Sequence, residues 1–429
     1  HATVELSERT GIINADLTVG PNVAAAQPLK ANKDLSSRGV ALHGAGFIVN
    51  QEKARALGFG RIAGIEKHIR PYRHGRDITQ ASRDLMVIDV DGIPIATVRD
   101  RFPEIYQHLY CYVKPERDQN REPSRHANWW MFGRRNTDLR NFLKGLPRYI
   151  CTSETAKHRF FVFLESAILP DNMLVNIGLD DAYALGVLSS RVHVAWALAA
   201  GGTLEDRPRY NKTRCFEPFP FPAATEAQRE RIRTLGEALD AHRKRQQQLH
   251  PDLTITGMYN VLEKLRANQE LNDEERLVHQ QGLVSVLRDI HDDLDNAVLD
   301  AYGWPANLTT EDILYRLVAL NEQRVAEERR GLIRWLRPDF QQAPQPGQTG
   351  LDIEIEEAPA PVSARRPWPA ALPDRVGAIR AVLAGERQPL DANALARIFT
   401  RARTHDVREI AETLVSLGQA RRVEDRYIV

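Results

Sequence analysis

The chain has 429 residues, of which 42% are hydrophobic and 27% charged, and its formal net charge is +1. These values are ordinary for a globular protein, and the length predicts two to four domains. The near-neutral net charge is unevenly distributed along the chain. Residues 51–160 contain 21 Lys and Arg against 13 Asp and Glu, whereas residues 252–340 contain 10 against 17. The first region is a candidate polyanion-binding surface, and the second a solvated or protein-contacting helical face.

The three cysteines, Cys111, Cys151 and Cys215, are far apart and odd in number. This spacing argues against a disulfide framework and against a CxxC metal site. No run of 18 or more apolar residues and no signal peptide is present, so we expect a reduced, cytoplasmic protein without a membrane segment. Because residues 1–16 have the character of a domain interior, we also expect the chain to be part of a longer polypeptide.

The first elements are predicted to be short strands and turns. Residues 1–37 predict a strand and then a polar connector over residues 30–37. Residues 40–50, VALHGAGFIVN, contain two glycines, as a phosphate-binding loop would. No G-x-x-G-K-[ST] motif follows, which favours a strand bent at Gly44 and Gly46 that leads into a helix over residues 51–57.

Residues 69–78, IRPYRHGRDI, predict a cationic loop, because proline and glycine interrupt regular structure where four basic side chains cluster. Such a loop can bind a phosphate backbone or enter a groove, and a surface turn with incidental charge is the alternative. Residues 85–91, LMVIDVD, predict a buried strand. Asp89 and Asp91 share one face of this strand and could ligate a metal, but without a third ligand a strand end closed by a turn is favoured.

Residues 102–113 predict an amphipathic helix, and residues 114–126 predict a mobile polar loop. Residues 129–164 then combine aromatic, basic and hydroxyl side chains and end in a strand over residues 160–165. Arg and Lys bind phosphate oxygens, Ser and Thr add shorter contacts, and aromatic rings stack on bases or pack in a core. An αβ segment with a solvated basic face is the alternative, but the basic flanking chain favours nucleic-acid binding.

The remaining elements are a strand over residues 171–177 and a long helix over residues 180–199 with Trp196 in its core-facing stripe. Residues 207–214 form a loop rich in groups that bind phosphate or base edges. Residues 217–222, EPFPFP, can only be an edge or an extended connector.

Residues 225–336 predict a nearly continuous series of helices. Their acidic residues Asp289, Asp292, Asp293 and Asp295 could suggest metal ligation, but helical spacing spreads them over several faces and favours a solvated surface. Residues 338–369 are rich in proline and predict a linker. Residues 370–429 predict three short helices and a hairpin, which is a winged-helix pattern. Such units bind DNA through the third helix or serve as protein adaptors.

Five runs of residues, in this order, resemble one protein family. They are VALHGAGFIVN with LGFG, RPYRHGRDI, the segment from FPEIYQHL to VKPERDQN, the block from WWMFGRR to KHRFFVFL, and LGVLSSRVHVAWALAAGG with RYNKTRCFEPFPFP. The family is the target-recognition domain of MmeI-like (type IIL) DNA methyltransferases and of their relatives in phage-defence systems. The helical runs LDNAVLDAYGWP and ERRGLIRWLRPDF resemble the region that follows this domain, so the resemblance covers roughly residues 1–340.

The resemblance implies an α+β chain that supplies sequence-specific DNA recognition to a site-specific adenine-N6 methyltransferase of a restriction-modification or phage-defence system. Family members transfer a methyl group from S-adenosylmethionine to a flipped adenine. The cofactor motif and the NPPY-type loop of their catalytic domain are absent from this sequence. We therefore expect no cofactor and no catalytic residue in this chain, S-adenosylmethionine in the missing N-terminal domain, and no methyl transfer by the chain alone.

Five regions are predicted. They are the end of a methyltransferase domain with a connector (1–37), a mixed α/β target-recognition domain (38–222), a helical domain (223–337), a linker (338–369) and a winged-helix-like domain (370–429). The expected partners are double-stranded DNA and the methyltransferase domain of the same or a companion chain. The alternative is a subunit that docks a nuclease or helicase in a defence complex without contacting bases.

The DNA-contacting residues are assigned by chemistry, because arginine pairs with guanine and asparagine with adenine, while any cation can neutralise a phosphate. The predicted phosphate contacts are Arg70, Arg73, Arg76, Arg140, Lys157, Arg159 and Lys212. The predicted base contacts are Arg134, Arg135, Arg209 and Asn211. No metal ligand is predicted.

Overall fold

The computed structural model describes residues 20–120, 122–204, 207–342, 366–369, 372–385, 390–400, 402–416, 419–423 and 426–428. The chain divides into two compact units, residues 1–344 and residues 345–429. The division falls within the predicted linker. The strand predicted at the start of residues 1–37 lies outside the described residues.

The described strands of the first unit form two four-stranded sheets and one short pair. The first sheet has the order β1-β8-β5-β6 and is antiparallel throughout, and the second has the order β2-β4-β3-β7 with β3 and β7 parallel. The strands are β1 (Ser36–Arg38), β2 (Ile48–Val49), β3 (Ile69–Arg73), β4 (Met86–Ile88), β5 (Arg148–Ser153), β6 (Val162–Glu165), β7 (Leu169–Pro170), β8 (Leu174–Ile177), β9 (Thr203–Leu204) and β10 (Arg207–Pro208).

Helices cover these sheets and then continue alone after residue 225. The helices are α1 (Gln51–Ala56), α2 (Gly75–Thr79), α3 (Ile95–Arg101), α4 (Pro103–Tyr112), α5 (Lys114–Asp118), α6 (Pro123–Ala127), α7 (Thr137–Leu143), α8 (Ala182–Ser189), α9 (Arg191–Gly201), α10 (Glu226–Leu249), α11 (Ile255–Arg266), α12 (Asp273–Gly282), α13 (Val284–Tyr302), α14 (Thr310–Arg329) and α15 (Pro338–Gln341). The predicted α+β class and the predicted helical series over residues 225–336 are confirmed.

The core of the first unit is built on strands that are buried on both faces. In β5 the consecutive residues Tyr149, Ile150 and Cys151 are all fully buried, and in β8 every residue is buried. A strand covered on both faces is apolar along its length and does not alternate. Trp196 of α9 is also fully buried, so the prediction that it belongs to the core is confirmed.

Residues 114–126 were predicted to be a mobile loop, and this prediction is wrong. The helices α5 and α6 occupy this segment. Arg117 of α5 is buried and donates hydrogen bonds to the carbonyls of Leu42 and Met131. Polar composition did not reveal these helices because neither has an apolar stripe, and α5 is held by the tertiary contacts of Arg117.

Residues 40–50 do not form one bent strand. A 3-10 turn over Ala45–Phe47 precedes the short strand β2. A Cβ atom at Gly46 would lie 2.4 Å from the carbonyl oxygen of Tyr112 in α4. This glycine therefore serves close backbone packing.

The helix predicted over residues 180–199 is two helices, α8 and α9, bent by 63°. Ser190 lies at the break, and its hydroxyl donates to the carbonyl of Val187 at 2.7 Å. The carboxylate of Asp295 accepts a hydrogen bond from the backbone N–H of Arg191 at 2.7 Å and so caps the start of α9. Asp295 is buried, which corrects its prediction as part of a solvated face.

Among the described residues, no single helix has the length and apolarity needed to cross a membrane. Within the part of the chain that the structure describes, the bent pair of α8 and α9 meets these criteria of length and composition when its two helices are taken together. Every residue of α8 is buried, as expected for a core helix of this unit.

The second unit has its own core, to which thirteen of its described residues contribute, including Ile379, Leu395, Val407 and Leu414. Its described elements follow the order helix, strand, helix, strand, helix, hairpin after a first short strand. They are β11 (Arg366–Pro367), α16 (Leu372–Gly385), β12 (Leu390–Asp391), α17 (Ala392–Arg397), β13 (Phe399–Thr400), α18 (Thr404–Ser416), β14 (Arg421–Val423) and β15 (Arg426–Ile428). β12, β15 and β14 form an antiparallel sheet, while β11 and β13 pair in parallel.

The amide group of Asn32 joins the start of the described chain to the EPFPFP segment. Its Nδ2 atom lies 2.9, 3.1 and 2.7 Å from the carbonyl oxygens of Phe216, Glu217 and Phe219. Asn32 is buried, and buried carbonyls need donors because unsatisfied polar groups are costly. Asn321 and Tyr302 donate in turn to the carbonyls of Pro218 and Pro220, so side-chain donors hold the proline-rich segment in its extended form, with Asn32 at its start.

We expect Asn32→Asp to destabilise the first unit by about 2–3 kcal/mol, because a carboxylate would face three carbonyl oxygens and could donate to none of them when ionised. Urea unfolding monitored by tryptophan fluorescence measures this change. Lys33→Ala, at an exposed neighbouring position, is the control and should unfold as the wild type does. Equal midpoints for Asn32→Asp and the control would contradict this role.

Two histidines are buried in neutral form. His193 Nε2 lies 3.0 Å from the hydroxyl of Tyr210, and His291 Nε2 lies 2.8 Å from that of Tyr259. Burial lowers the pKa of each imidazole to about 3, and neighbouring arginines reinforce the shift. Burial acts in the opposite sense on Asp295 and raises its pKa to about 6.

We expect the free energy of unfolding to fall as the pH drops from 7 to 5. Below pH 6.5 the unfolded chain takes up protons at both histidines, whereas the folded chain does so only near pH 3. Each histidine therefore costs up to about 1.4 kcal/mol per pH unit. Asp295 offsets part of this cost between pH 6 and 3.8, because there the folded chain holds the extra proton.

The measurement is the urea midpoint at several pH values for the wild type and for His291→Gln, which removes one of the two sites. The variant should show a shallower pH dependence than the wild type. His126→Gln, at an exposed position, is the control and should keep the wild-type slope. Identical slopes for all three proteins would refute the linkage.

Candidate nucleic-acid interface

Six segments that are distant in sequence meet where the two sheets adjoin. Ala41 and Arg134 exchange backbone hydrogen bonds of 3.2 and 3.0 Å, Val40 N donates to Pro170 O at 2.9 Å, and Asp171 N donates to Arg73 O at 2.8 Å. We name the resulting surface the six-segment edge. It consists of residues 38–43, 73–76, 133–136, 153–156, 170–173 and 207–211.

The close approach of these segments depends on Gly39. A Cβ atom at this position would lie 2.1 Å from the carbonyl oxygen of Pro170 and 2.2 Å from that of Asp171. Any side chain would push the chain after β1 away from the end of β7. Gly75 is also close to a neighbour, since its Cβ would lie 2.9 Å from Ser153 Oγ. These two glycines allow four of the segments to approach one another closely.

A buried carboxylate organises one end of the six-segment edge. Glu154 Oε1 accepts from Arg209 Nε at 2.7 Å and also pairs with Arg38. Glu154 is buried, whereas the side chains of Arg38 and Arg209 are 41% and 39% exposed. The pairing fixes both guanidinium groups while leaving part of each at the surface. Arg209 was a predicted base contact, but Arg38 and Glu154 were missed because no local pattern indicates their tertiary pairing.

Arg134 is a cation of the six-segment edge without a carboxylate partner among the described residues. It is exposed, and among the described residues its side chain has no ion-pair or hydrogen-bond partner. Beside it, the ring of His43 packs against Gly133, where a Cβ atom would lie 2.4 Å from the imidazole Cγ. Burial and the neighbouring arginines, Arg134 among them, lower the pKa of His43. The predicted base contact Arg134 is thus an exposed guanidinium beside a histidine whose pKa is lowered.

The prediction of a cationic loop over residues 69–78 is wrong, because the strand β3 (Ile69–Arg73) and the helix α2 (Gly75–Thr79) occupy this segment and are joined by a tight loop at His74. His74 caps α2, its Nδ1 accepting from the backbone N–H of Arg76, and its Nε2 lies 3.3 Å from Asp171 Oδ1. The Arg76 side chain is exposed and donates to Gln80 Oε1 at 2.7 Å. A groove of 540 Å³ runs between this loop and residues 41–45, and His43, His74 and Arg76 line it. The first turn of α2 therefore contributes one accessible cation, Arg76, to the six-segment edge.

Three other predicted contacts lie in a separate ion-pair ladder around Asp89 and Asp91. Arg140 is 2.8 Å from Asp89, and Arg70 is 3.5 Å from it. Arg135 pairs with Asp91. The two aspartates therefore bind arginines, and no cluster of three potential metal ligands occurs among the described residues. Arg70 and Arg140 are also mostly shielded, with side chains 16% and 22% exposed.

Arg159 does not fit its predicted phosphate contact, because it is buried. Its guanidinium donates to Thr152 Oγ1 at 3.0 Å and to the carbonyl of Pro208 at 3.1 Å, and it also contacts the carbonyl of Ser153. Burial lowers its pKa to about 10. We therefore correct its assignment. It binds β5 to the segment that carries Arg209 and so supports the edge from inside.

The remaining predicted residues are already engaged in contacts within the chain. Arg73 pairs with Asp84 at 3.2 Å, and Lys212 pairs with Glu217 at 3.1 Å. Lys157 is exposed but donates to Asn260 of α11 at 2.8 Å. The Oδ1 atom of Asn211 accepts from Thr213, so only its amide nitrogen is left for the predicted adenine contact, which would use both atoms.

The aromatic residues at the start of the 129–164 stretch pack in the core. Trp129, Trp130 and Phe132 are each more than nine-tenths buried. Trp130 Nε1 donates to the carbonyl of Ile93 at 2.9 Å, and Phe132 packs edge-on against Phe47. Of the two roles considered for these rings, the structure favours the core role over base stacking.

Comparison with known proteins is consistent with this architecture. The family model of the MmeI target recognition domain matches residues 23–223. DNA methyltransferase A of Bacillus subtilis (strain 168) is 30% identical over 76 residues, which are 17% of this chain and 9% of that protein. A solved structure of the type IIL restriction-modification enzyme MmeI in complex with DNA matches with a TM-score of 0.56 and 19% identity.

The structural match covers 73% of this chain and 39% of the MmeI chain, so the present chain spans less than half the length of either relative. At 19% identity the match establishes a common fold. It agrees with the family model, whose matched residues include all six segments of the edge. Over residues 23–223 the chain is therefore similar to the MmeI target recognition domain.

Proposed function

We propose that this chain provides sequence-specific recognition of double-stranded DNA to a site-specific DNA methyltransferase. The observation that carries the proposal is the six-segment edge. There an unpaired Arg134, an exposed Arg76 and the Glu154-held pair of Arg38 and Arg209 converge within a target recognition domain. Separate chain segments thus bring cations to one surface, as a ligand with many phosphates and base edges requires.

Within this proposal the arginines have different tasks. Arg134 has all its donors available and can form the bidentate pair with guanine O6 and N7. Arg38 and Arg209 share Glu154, so each presents donors in a fixed direction at low conformational cost. Arg76, Lys157 and Lys212 lie in or beside the edge and would neutralise phosphates, with Lys157 and Lys212 exchanging their present partners for DNA.

The methyl-transfer chemistry is proposed for a separate methyltransferase domain, in the same or a companion chain, that binds S-adenosylmethionine. The glycine pair at residues 44–46 does not fit a cofactor loop, because Gly46 packs on the backbone of α4. We propose adenine N6 as the methylated atom, a restriction-modification or phage-defence role, and a cytoplasmic location. These proposals rest on the family resemblance. The chain alone is expected to be catalytically inactive.

For the second unit we propose a winged-helix domain. The order of α16, β12, α17, α18 and the β14–β15 hairpin supports this proposal. The third helix, α18, carries three acidic residues, Asp406, Glu409 and Glu412, against one arginine, Arg408. This charge favours a protein-docking role for α18 over insertion into a DNA groove.

The first test is binding of the chain to a pool of random duplexes at about 50 and 200 mM salt, where phosphate contacts lose most affinity, with the bound DNA sequenced. Salt-sensitive binding with an enriched motif is expected. Enrichment of no motif would mean that another domain completes recognition. No binding at either salt concentration would favour the alternative, a subunit that docks a nuclease or helicase partner.

Arg134→Ala is expected to weaken binding to the enriched duplex by about 1–3 kcal/mol and to change random-duplex binding little, because it removes a base contact. Lys157→Ala should instead weaken both duplexes alike, because it removes a phosphate contact. Arg99→Ala, an exposed arginine of α3 outside the edge, is the control. Fluorescence anisotropy measures the affinity of the wild type and the three variants for each duplex. An equal loss on both duplexes for Arg134→Ala would contradict its base contact.

Glu154→Gln is expected to lower the free energy of unfolding by about 1–3 kcal/mol, because two guanidinium groups lose their shared charged acceptor. The same change should reduce discrimination between the enriched and random duplexes, since both arginines become mobile. Glu165→Gln, at an exposed position of β6, is the control. Urea unfolding and the two-duplex binding ratio are the measurements. A stable variant with unchanged discrimination would rule out the organising role of Glu154.

A further inference from the structure

A second cavity lies on the other side of the His43–Gly133–Arg134 ridge. Its volume is 380 Å³, and α5, α6 and the segment leading into α7 form its walls. Three arginines and one glutamate line it, together with neutral polar side chains. The charged lining residues are Arg117, Arg125, Arg135 and Glu122. None of the sites predicted from the sequence includes Arg117 or Arg125.

Arg117 is a buried cation without a carboxylate partner. It is 2% exposed, and its Nη2 donates to the carbonyls of Leu42 and Met131 at 2.9 and 3.1 Å. Its Nε has no hydrogen-bond partner. Among the described residues, no carboxylate lies within 4 Å of this guanidinium. A buried charge is costly unless it is paired, so this wall of the cavity has a deficit of negative charge.

The rim residues do not remove this deficit. Arg125 Nε lies 2.7 Å from Glu122 Oε2, and the Glu122 side chain is 54% exposed. This solvated carboxylate therefore pairs with Arg125 and does not compensate the charge of Arg117. Arg135 also lines the cavity and pairs with Asp91. Thr137 adds an exposed hydroxyl at the mouth. An anion that enters the cavity would meet Arg125, Arg135 and Thr137 directly and the field of Arg117 behind them.

We propose that this cavity binds a phosphate group. The ligand would accept hydrogen bonds from Arg125 and Thr137, and its charge would compensate the buried Arg117. The proposal rests on the proposed function for its biological ligand, a phosphodiester of the DNA backbone. Arg134 and Arg135 are consecutive but serve different sides of the ridge, so a phosphate in the cavity would lie next to the base contacted by Arg134. A free phosphate ion offers the same chemistry, and the experiment separates the two sources.

The first experiment needs no DNA. Potassium phosphate replaces potassium chloride at constant ionic strength, and the melting temperature of the full chain is followed by tryptophan fluorescence. A ligand that binds only the folded state raises the melting temperature in a saturable way. We expect saturable stabilisation of the wild type and of the exposed control Arg99→Gln, and its loss in Arg125→Gln.

Glu122→Gln is expected to strengthen phosphate binding, whereas Arg125→Gln abolishes it. Replacing Glu122 removes the carboxylate that competes for Arg125, so phosphate should saturate at a lower concentration than in the wild type. A merely misfolded variant would not bind more tightly. General stabilisation by phosphate through exclusion from protein surfaces is common to all variants and does not saturate. The same response in the wild type, Arg125→Gln and Glu122→Gln would overturn the proposal.

The second experiment identifies the source of the phosphate. The slope of log K against log salt is measured for specific and random duplexes, and Arg125→Gln should reduce it by about 1 on both if the cavity holds a backbone phosphate. Saturable phosphate binding with an unchanged slope would assign the cavity to a free ion. If the chain bound no DNA, the proposed function would fail, while the melting experiment would still show whether the cavity binds phosphate. Specific DNA binding without any phosphate response would leave the function intact and refute the cavity site.

Discussion

The contact between residues 39–41 and the end of β7 is the constraint on which the first unit depends. β1 belongs to one sheet and β7 to the other, and the chain that leaves β1 runs directly beside Pro170 and Asp171. Two sheets with free edges would leave backbone donors and acceptors unpaired, and here they satisfy each other. The separation tolerates no side chain at position 39. Each of the other segments of the edge is placed relative to this junction.

Buried polar side chains also hold distant segments of the first unit together. Asn32 holds the start of the proline-rich segment, Asp295 caps the second helix of the bent pair, and Arg159 ties β5 to β10. Each of these groups is buried and hydrogen-bonded, so each fixes a geometry that apolar packing alone would leave open. Side-chain-to-backbone hydrogen bonds between distant segments thus supplement the continuous apolar core that joins the sheets to the helices.

The sequence was sufficient to predict the α+β class, the helices after residue 225 and the core position of Trp196, because these depend on local periodicity. It was insufficient for the charged residues. Arg134 and Arg135 are adjacent and chemically identical, yet one is free and the other is paired with Asp91, 44 residues earlier. Nothing local distinguishes them, because the difference is made by how two remote segments pack. For the same reason the buried Arg159 and the pairing of Glu154 with Arg38, 116 residues apart, could not be foreseen.

The shared acceptor at Glu154 bears on how binding preferences could diversify in such a domain. Two guanidinium groups compete for one carboxylate oxygen, so replacing either arginine changes the charge that the other experiences. Substitutions at positions 38 and 209 are therefore expected to be non-additive in their effects on stability and, if the edge binds DNA as proposed, on binding. A redesign of the edge would therefore have to replace residues 38, 154 and 209 together.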